Sequence, residues 1–336
     1  MKINKWIPAG VGVAISLVFL WFAFRNLKPD TVIVYIRGAN FAWLSLAAVW
    51  YFMGVTIIAL RWRFLLRSIQ AIPLRGLVPL VTIGYMGNNV YPFRSGEILR
   101  IVLLGHNYQV PMAKAMTTVI VERVFDGLVM LTFILVALLF VQVSSPEIHT
   151  VASVAAPIFL SAVAVFFLLA ARPNLLRMLL HFVSKLVPGA LHELLLRTGD
   201  EIIDGLEALR SPADLAGTIV ASFVCWAVEA SVYWMVSFAF NLGVSYPLML
   251  LVVGVVNLAG LIPASPGQIG VFEFFVSLVL IGAGVAEGQA HAFALVVHVV
   301  IWLPVTLVGF YFLVRQGLGW NAITHARELE QQSATG

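Results

Sequence analysis

Residues 84–105 read GYMGNNVYPFRSGEILRIVLLG, an apolar stretch interrupted by a proline, a glycine and three charged side chains, Arg94, Glu97 and Arg100. A helix crossing a bilayer satisfies its backbone internally, so a break at that depth is tolerated only where protein or a polar cavity covers it. What stands opposite the break therefore decides the fold.

A second stretch supplies the partner. PASPGQI at 263–269 meets PFRSGEI at 92–98 at an offset of 171 residues: Pro92, Gly96 and Ile98 fall on Pro263, Gly267 and Ile269, and Glu97 falls on Gln268. The flanks follow the same offset. Apolar 41–60 lands on 212–231, and 115–142 lands on 286–313. Span, interrupted hairpin and span thus recur.

The composition agrees. The 336 residues are 61% hydrophobic and 11% charged, with mean hydropathy +0.98, against about 25% charged in an ordinary soluble domain. This is a polytopic membrane protein, expected as one all-α membrane domain over 1–336. Runs 7–24, 41–60, 115–143, 150–171, 215–240 and 289–314 meet the roughly 20-residue requirement of a span. Runs 76–108 and 247–284, each broken in the middle, read as re-entrant helical hairpins. Repeat one covers about 41–143 and repeat two about 215–314. The basic start and first apolar run lack a small-x-small cleavage site, so 7–24 reads as a retained span rather than a signal peptide.

Lysine and arginine set the expected orientation. Lys2 and Lys5 precede the first span, Arg61, Arg63, Arg67 and Arg75 follow the second, Arg172 to Arg210 follow the fourth, and Arg315 and Arg327 follow the last. The opposite loops, 143–150, 241–247 and 284–290, carry neither residue. Both termini are expected in the cytoplasm of a prokaryotic cell, with the protein in its cytoplasmic (inner) membrane. Loop 25–40, with Arg25, Lys28 and Arg37 against Asp30, runs against the rule. On this arrangement hairpin 76–108 enters from the cytoplasm and hairpin 247–284 from outside, so that the two breaks face each other.

Residues 172–214 form the one sizeable polar region, with apolar residues at three- and four-residue spacing. They read as an amphipathic connector on the cytoplasmic surface. Ser211, Pro212 and Asp214 give an N-cap, a first-turn proline and an early acid for the fifth span.

The chemistry concentrates at the breaks. Ser265-Pro266-Gly267-Gln268 has the pattern of a capping box with proline at the first helical position. A helix N-terminus inside the membrane suits an anion such as phosphate. Ser95 and Gly96 start a helix similarly, and Arg94 and Arg100 add fixed positive charge. Asn88, Asn89, Asn257 and Ser265 offer neutral hydrogen bonds. The competing reading pairs Glu97 with Arg100 at i, i+3. Glu122, Arg123 and Asp126 form a supporting charge cluster, and Glu273, Glu229 and His298 lie within apolar helices, where charge is costly and faces a pathway or a partner.

Several functions are excluded. No Walker A, nucleophile elbow, dinucleotide fingerprint or HExxH pair occurs, and Cys225 is the one cysteine. No metal or cofactor is expected, and nucleic acid is not an expected partner.

The combination Pro92-x-Arg94-x-Gly96-Glu97-x-x-Arg100, Glu122-Arg123-x-x-Asp126 and Pro266-Gly267-x-x-Gly270-x-x-Glu273 resembles the flippase-like membrane domain of the lysylphosphatidylglycerol synthases. The resemblance covers about residues 7–315. It implies an integral membrane protein that moves a lipid between leaflets, in the full-length synthases an aminoacylated phosphatidylglycerol; other relatives are associated with polyprenyl-linked and hopanoid lipids. Gln268 and Phe272 stand where the family pattern leads one to expect glycine and arginine, which makes the outer half less basic. The sequence ends at Gly336, so no soluble synthase domain, and no synthase activity, is expected.

The resulting expectation is a flippase or scramblase for a phosphate-containing lipid. Its head-group site would comprise Arg94, Glu97, Arg100, Asn88, Asn89, Ser265, Gln268 and Glu273, with Asn257, Glu229 and His298 secondary. The alternatives are a membrane-embedded enzyme acting on a polyprenyl-linked lipid, with Glu97, Glu273 or Asp126 as base, and a scaffold docking a lipid-modifying synthase through 172–214.

Overall fold

The Asn40 side chain accepts a hydrogen bond from the Ala42 N–H at 2.9 Å and opens helix α3, Phe41–Leu66. The structure, a computed structural model, describes residues 6–24, 29–91, 95–141, 172–184, 211–260, 262 and 264–316, with isolated positions at 157, 161, 164, 165, 168 and 200. Every regular element among the described residues is helical. Before α3 come α1, Trp6–Phe24, and α2, Pro29–Arg37. After it come α4, Leu74–Val90, α5, Gly96–Tyr108, α6, Met112–Leu138, and α7, Pro173–Ser184. Then follow α8, Pro212–Ala239, α9, Tyr246–Ala259, a 3₁₀ turn at Pro266–Gln268, α10, Val271–Gly282, and α11, Glu287–Arg315.

Three of these, α3, α8 and α11, are both long and apolar enough to cross a membrane. Helix α6 has 27 residues but carries Glu122, Arg123 and Asp126. Exposed apolar side chains such as Val49, Val220, Val224, Leu307 and Val314 ring the outside, which is the surface that acyl chains cover. The chain is a multi-pass membrane protein.

Packing follows the 171-residue offset. Helices α3 and α8, which the offset relates, form the most extensive pair in the structure. Helix α4 lies against α11, and α9 lies against α6, so each hairpin's first arm rests on the last helix of the other half. Within the first hairpin the arms nearly touch: a Cβ on Gly87 would come 2.6 Å from Gly96 Cα, and one on Gly96 would come 1.9 Å from the Gly84 carbonyl oxygen. Small residues permit that approach, as at other membrane helix interfaces.

Two readings of the sequence are adjusted. Part of the stretch 25–40 is helix rather than loop: α2 has Asp30 in its first turn and Arg37 in its last, charges that complement the helix dipole, and it packs on α11. Helix α3 continues past residue 60 and takes Arg61 and Arg63 with it; Arg61 is not a loop residue because two carboxylates of α6 balance it. The fifth span begins as expected, with the Ser211 side chain accepting from the Asp214 N–H at 3.3 Å. Apart from isolated positions, span 150–171 lies outside the described residues, as does most of the connector between α7 and Ser211.

Candidate functional site

Between the two breaks lies a cavity of about 360 Å³, lined by both halves of the chain. From the first half come Tyr51, Tyr85, Asn88, Asn89, Tyr91, Glu97, Arg100 and Arg123. From the second come Trp226, Glu229, Tyr233, Asn257, Ser265, Gln268, Phe272, His298 and Trp302. The second break lies against the end of α4 at Gly267, whose positive φ of 70° turns the chain beside Trp302 and the Asn89 backbone; a Cβ there would lie 2.7 Å from Trp302 Nε1. Asn89 donates to Thr306 Oγ1 at 2.8 Å and to the Trp302 carbonyl at 3.3 Å, which fixes α4 to α11.

The first half holds a buried ion network. Arg61 is bonded to Asp126 and lies 3.5 Å from Glu122. Arg100 is bonded to Glu122, with its guanidinium 4.7 Å from the Trp62 ring centroid. Arg123 lies 3.0 Å from Asp126 and 3.4 Å from Glu97. Trp226 Nε1 donates to Asp126 at 2.7 Å, which brings α8 into the network. Three arginines thus meet three carboxylates, and the set is neutral. Arg61 and Glu122 are sealed, whereas the Arg123 side chain is 37% exposed.

The second break is organised by Glu273. Its Oε2 accepts from the Gly270 N–H at 2.6 Å, and its Oε1 lies 2.5 Å from His298 Nδ1. The His298 ring stacks on Phe272 with centroids 4.2 Å apart. Helix α10 therefore starts at Val271, capped by Gly270 and Glu273. Ser265 does not cap it: Gly267 leaves helical geometry inside the 3₁₀ turn, and the Ser265 N–H donates to Ser16 Oγ of α1 at 2.9 Å. The capping box read at Ser265–Gln268 lies one turn too early. Ser95 likewise makes no capping bond with its side chain.

Most of the expected site residues converge on this cavity. Asn88, Asn89, Glu97, Arg100, Ser265, Gln268, Asn257, Glu229, His298 and Arg123 line it. Glu122 and Asp126 lie in the network behind it, and Glu273 behind His298. Glu97 and Arg100 do not pair with each other, since inter-helix partners displace the local i, i+3 contact. Arg94, Pro92 and Pro263 lie outside the described residues. Sequence reading missed Arg61 and the aromatic wall of Tyr51, Tyr85, Trp226, Tyr233 and Trp302. An arginine following an apolar run is assigned to a loop by the charge rule, and aromatics inside spans carry no signal of their own. Asn88 Oδ1 and Trp302 Nε1 are buried without a hydrogen-bond partner among the described residues, one acceptor and one donor in the cavity wall. No cluster of three metal-ligating side chains occurs among the described residues.

The family described as the lysylphosphatidylglycerol synthase TM region matches residues 10–309. Glycosyltransferase AglD of Haloferax volcanii is 25% identical over 342 residues, 92% of this chain and 54% of that protein, so the chain spans about half its length. A UPF0104 membrane protein of Methanothermobacter thermautotrophicus is 22% identical, with 89% of this chain and 91% of that one covered. A UPF0104 membrane protein of Pyrococcus horikoshii is 23% identical, with coverage of 94% and 98%.

Proposed function

The chain belongs to the family of the lysylphosphatidylglycerol synthase TM region, and from that footing we propose that it moves a phosphate-containing lipid between leaflets. The observation that carries this reading is the cavity at the meeting of two interrupted helical hairpins. Its volume of about 360 Å³ is at the small end of ligand pockets. It suits a head group whose tails remain in the bilayer.

The hairpin arms support a re-entrant arrangement. Helices α5, α9 and α10 have 13, 14 and 12 residues, about 18–21 Å at 1.5 Å per residue, short of the ~30 Å hydrocarbon core. The reciprocal seating of α4 on α11 and α9 on α6 is what a two-fold relation between span–hairpin–span halves produces. Such inverted repeats place transporter sites near the midplane and alternate access by rocking one half against the other. Arg123, and Arg94 in the break itself, supply the positive charge for a phosphate. Asn88, Gln268 and Trp302 supply neutral bonds.

A catalytic reading needs a base facing the cavity. Glu97 is held by Arg123, Glu273 by His298 and Gly270, and Asp126 by Arg61, Arg123 and Trp226. Those three carboxylates are committed to partners, which leaves Glu229 as the acid of the cavity wall that a catalytic reading would have to use; one relative carries a glycosyltransferase name.

The test is reconstitution in vesicles with labelled phosphatidylglycerol, comparing wild type with Ala264→Trp, which fills the cavity from its lining. Transbilayer movement is expected to fall at least tenfold with the unfolding midpoint retained. Equal rates would remove the cavity from the pathway, and altered lipid chemistry by mass spectrometry would replace transport with catalysis.

A further inference from the structure

Glu229 is the acid that the ion network leaves over. It sits in the middle of α8, is 9% exposed and lines the cavity. Its titratable neighbours are the phenols Tyr51 of α3, Tyr85 of α4 and Tyr233 one turn along α8, and the Cys225 thiol one turn back on α8. Asn257 of α9 shares the cavity wall with it, its side-chain amide donating to the Val253 carbonyl at 2.9 Å. The charged group that acts on it is Asp126 of α6, of like sign. From α10 and α11 the cavity wall presents Phe272 and His298, and His298 is bound to Glu273. Arg61, Arg100 and Arg123 are each committed to the carboxylates of the network. Among the described residues, Glu229 therefore has no cation.

A carboxylate in a membrane cavity without a cation is costly, and such residues in transporters mark ion or proton pathways. A site that opens to water on alternate sides lets the acid give up its proton when wetted and take one when sealed. The 171-residue offset sharpens this. It relates Glu229 to Ile58, and both line the cavity. This acid is present in one half only, so the repeat does not duplicate it.

We propose that Glu229 is the proton-binding site through which lipid movement is coupled to a transmembrane pH difference, one proton for each lipid. The proposal rests on the transport reading above. With that stoichiometry, one pH unit displaces the leaflet ratio of the transported lipid about tenfold at equilibrium.

The full chain is reconstituted in phosphatidylethanolamine–phosphatidylglycerol vesicles carrying a trace of acyl-labelled phosphatidylglycerol. The potential is clamped with valinomycin and equal potassium, and the leaflet ratio is read by dithionite quenching. Wild type is expected to shift the ratio about tenfold per pH unit, and Glu229→Gln to bring it, at whatever rate, to its value at equal pH. Glu287→Gln, at an acid exposed outside the cavity, is expected to keep the shift. Lipid that equilibrates identically with and without the gradient overturns proton coupling and leaves transport standing. A shift driven by sodium instead of protons, retained in Glu229→Gln, or lost equally in Glu287→Gln, also overturns it. Label that moves under no condition removes the transport reading and the coupling with it.

Discussion

Arg61 of α3 is bonded to Asp126 of α6, and both side chains are buried. The charge that ends a span in the sequence is thus a strut between two helices. Asp126 is shared with Trp226 of α8, so one carboxylate ties three helices together. Removing one partner of a buried pair leaves the other uncompensated, at about 3–5 kcal/mol. Arg61→Ala is expected to lower the unfolding midpoint in detergent by that measure, and Arg61→Lys to restore only part, because an ammonium lacks the guanidinium fork. An unchanged midpoint for Arg61→Ala would contradict the strut.

Arg123 belongs to the same network but reaches the cavity, with 37% of its side chain exposed. Screening at that exposure limits its stabilising share to about 1 kcal/mol or less. Arg123→Gln should therefore leave the unfolding midpoint nearly in place while slowing labelled phosphatidylglycerol in vesicles at least tenfold. A large loss of stability with transport unaffected would reverse the assignment.

Gly96 is hemmed in by backbone, its added Cβ falling 1.9 Å from the Gly84 carbonyl oxygen and 2.5 Å from the Asn88 nitrogen. Neither atom moves cheaply. Gly96→Ala should force the hairpin arms apart and cost at least the 1–3 kcal/mol of an overpacked core, read as a lower midpoint and poorer yield of monodisperse protein. Ala at Gly243, where nothing lies within 4 Å but φ is +63°, should cost less.

Glu273 holds the Gly270 N–H and His298 at once. A double-mutant cycle with Glu273→Gln and His298→Leu should give a coupling energy of roughly 0.5–3 kcal/mol, the range for directly bonded side chains. Additive effects in chemical unfolding would mean that the contact does not bear on stability.

The skeleton of this chain was readable because breakers and apolar runs repeat at one offset. Pro266 and Gly267 located the second turn, and Ser211 with Asp214 located the start of α8. Partner choice was not readable. Glu97 has Arg100 three residues away, yet it lies against Arg123 of the next helix, because tertiary packing outweighs a local contact worth only tenths of a kcal/mol. The pattern at Ser265–Gln268 satisfies a capping box on paper. A positive φ at Gly267 ends that turn, and the helix waits for Glu273. Arg61 was misplaced because a rule about loops cannot see two acids on a helix some sixty residues later.

The exchanged seats of the hairpins bear on how the protein is made. Helix α4 leaves the ribosome some two hundred residues ahead of α11, the helix it rests on. Asp126 likewise waits for Trp226, a hundred residues downstream. The contacts of α4 with α11 and of Asp126 with Trp226 therefore form only as the second half is made. Insertion and assembly are separate events in this chain, and the second is complete only when the last helix arrives.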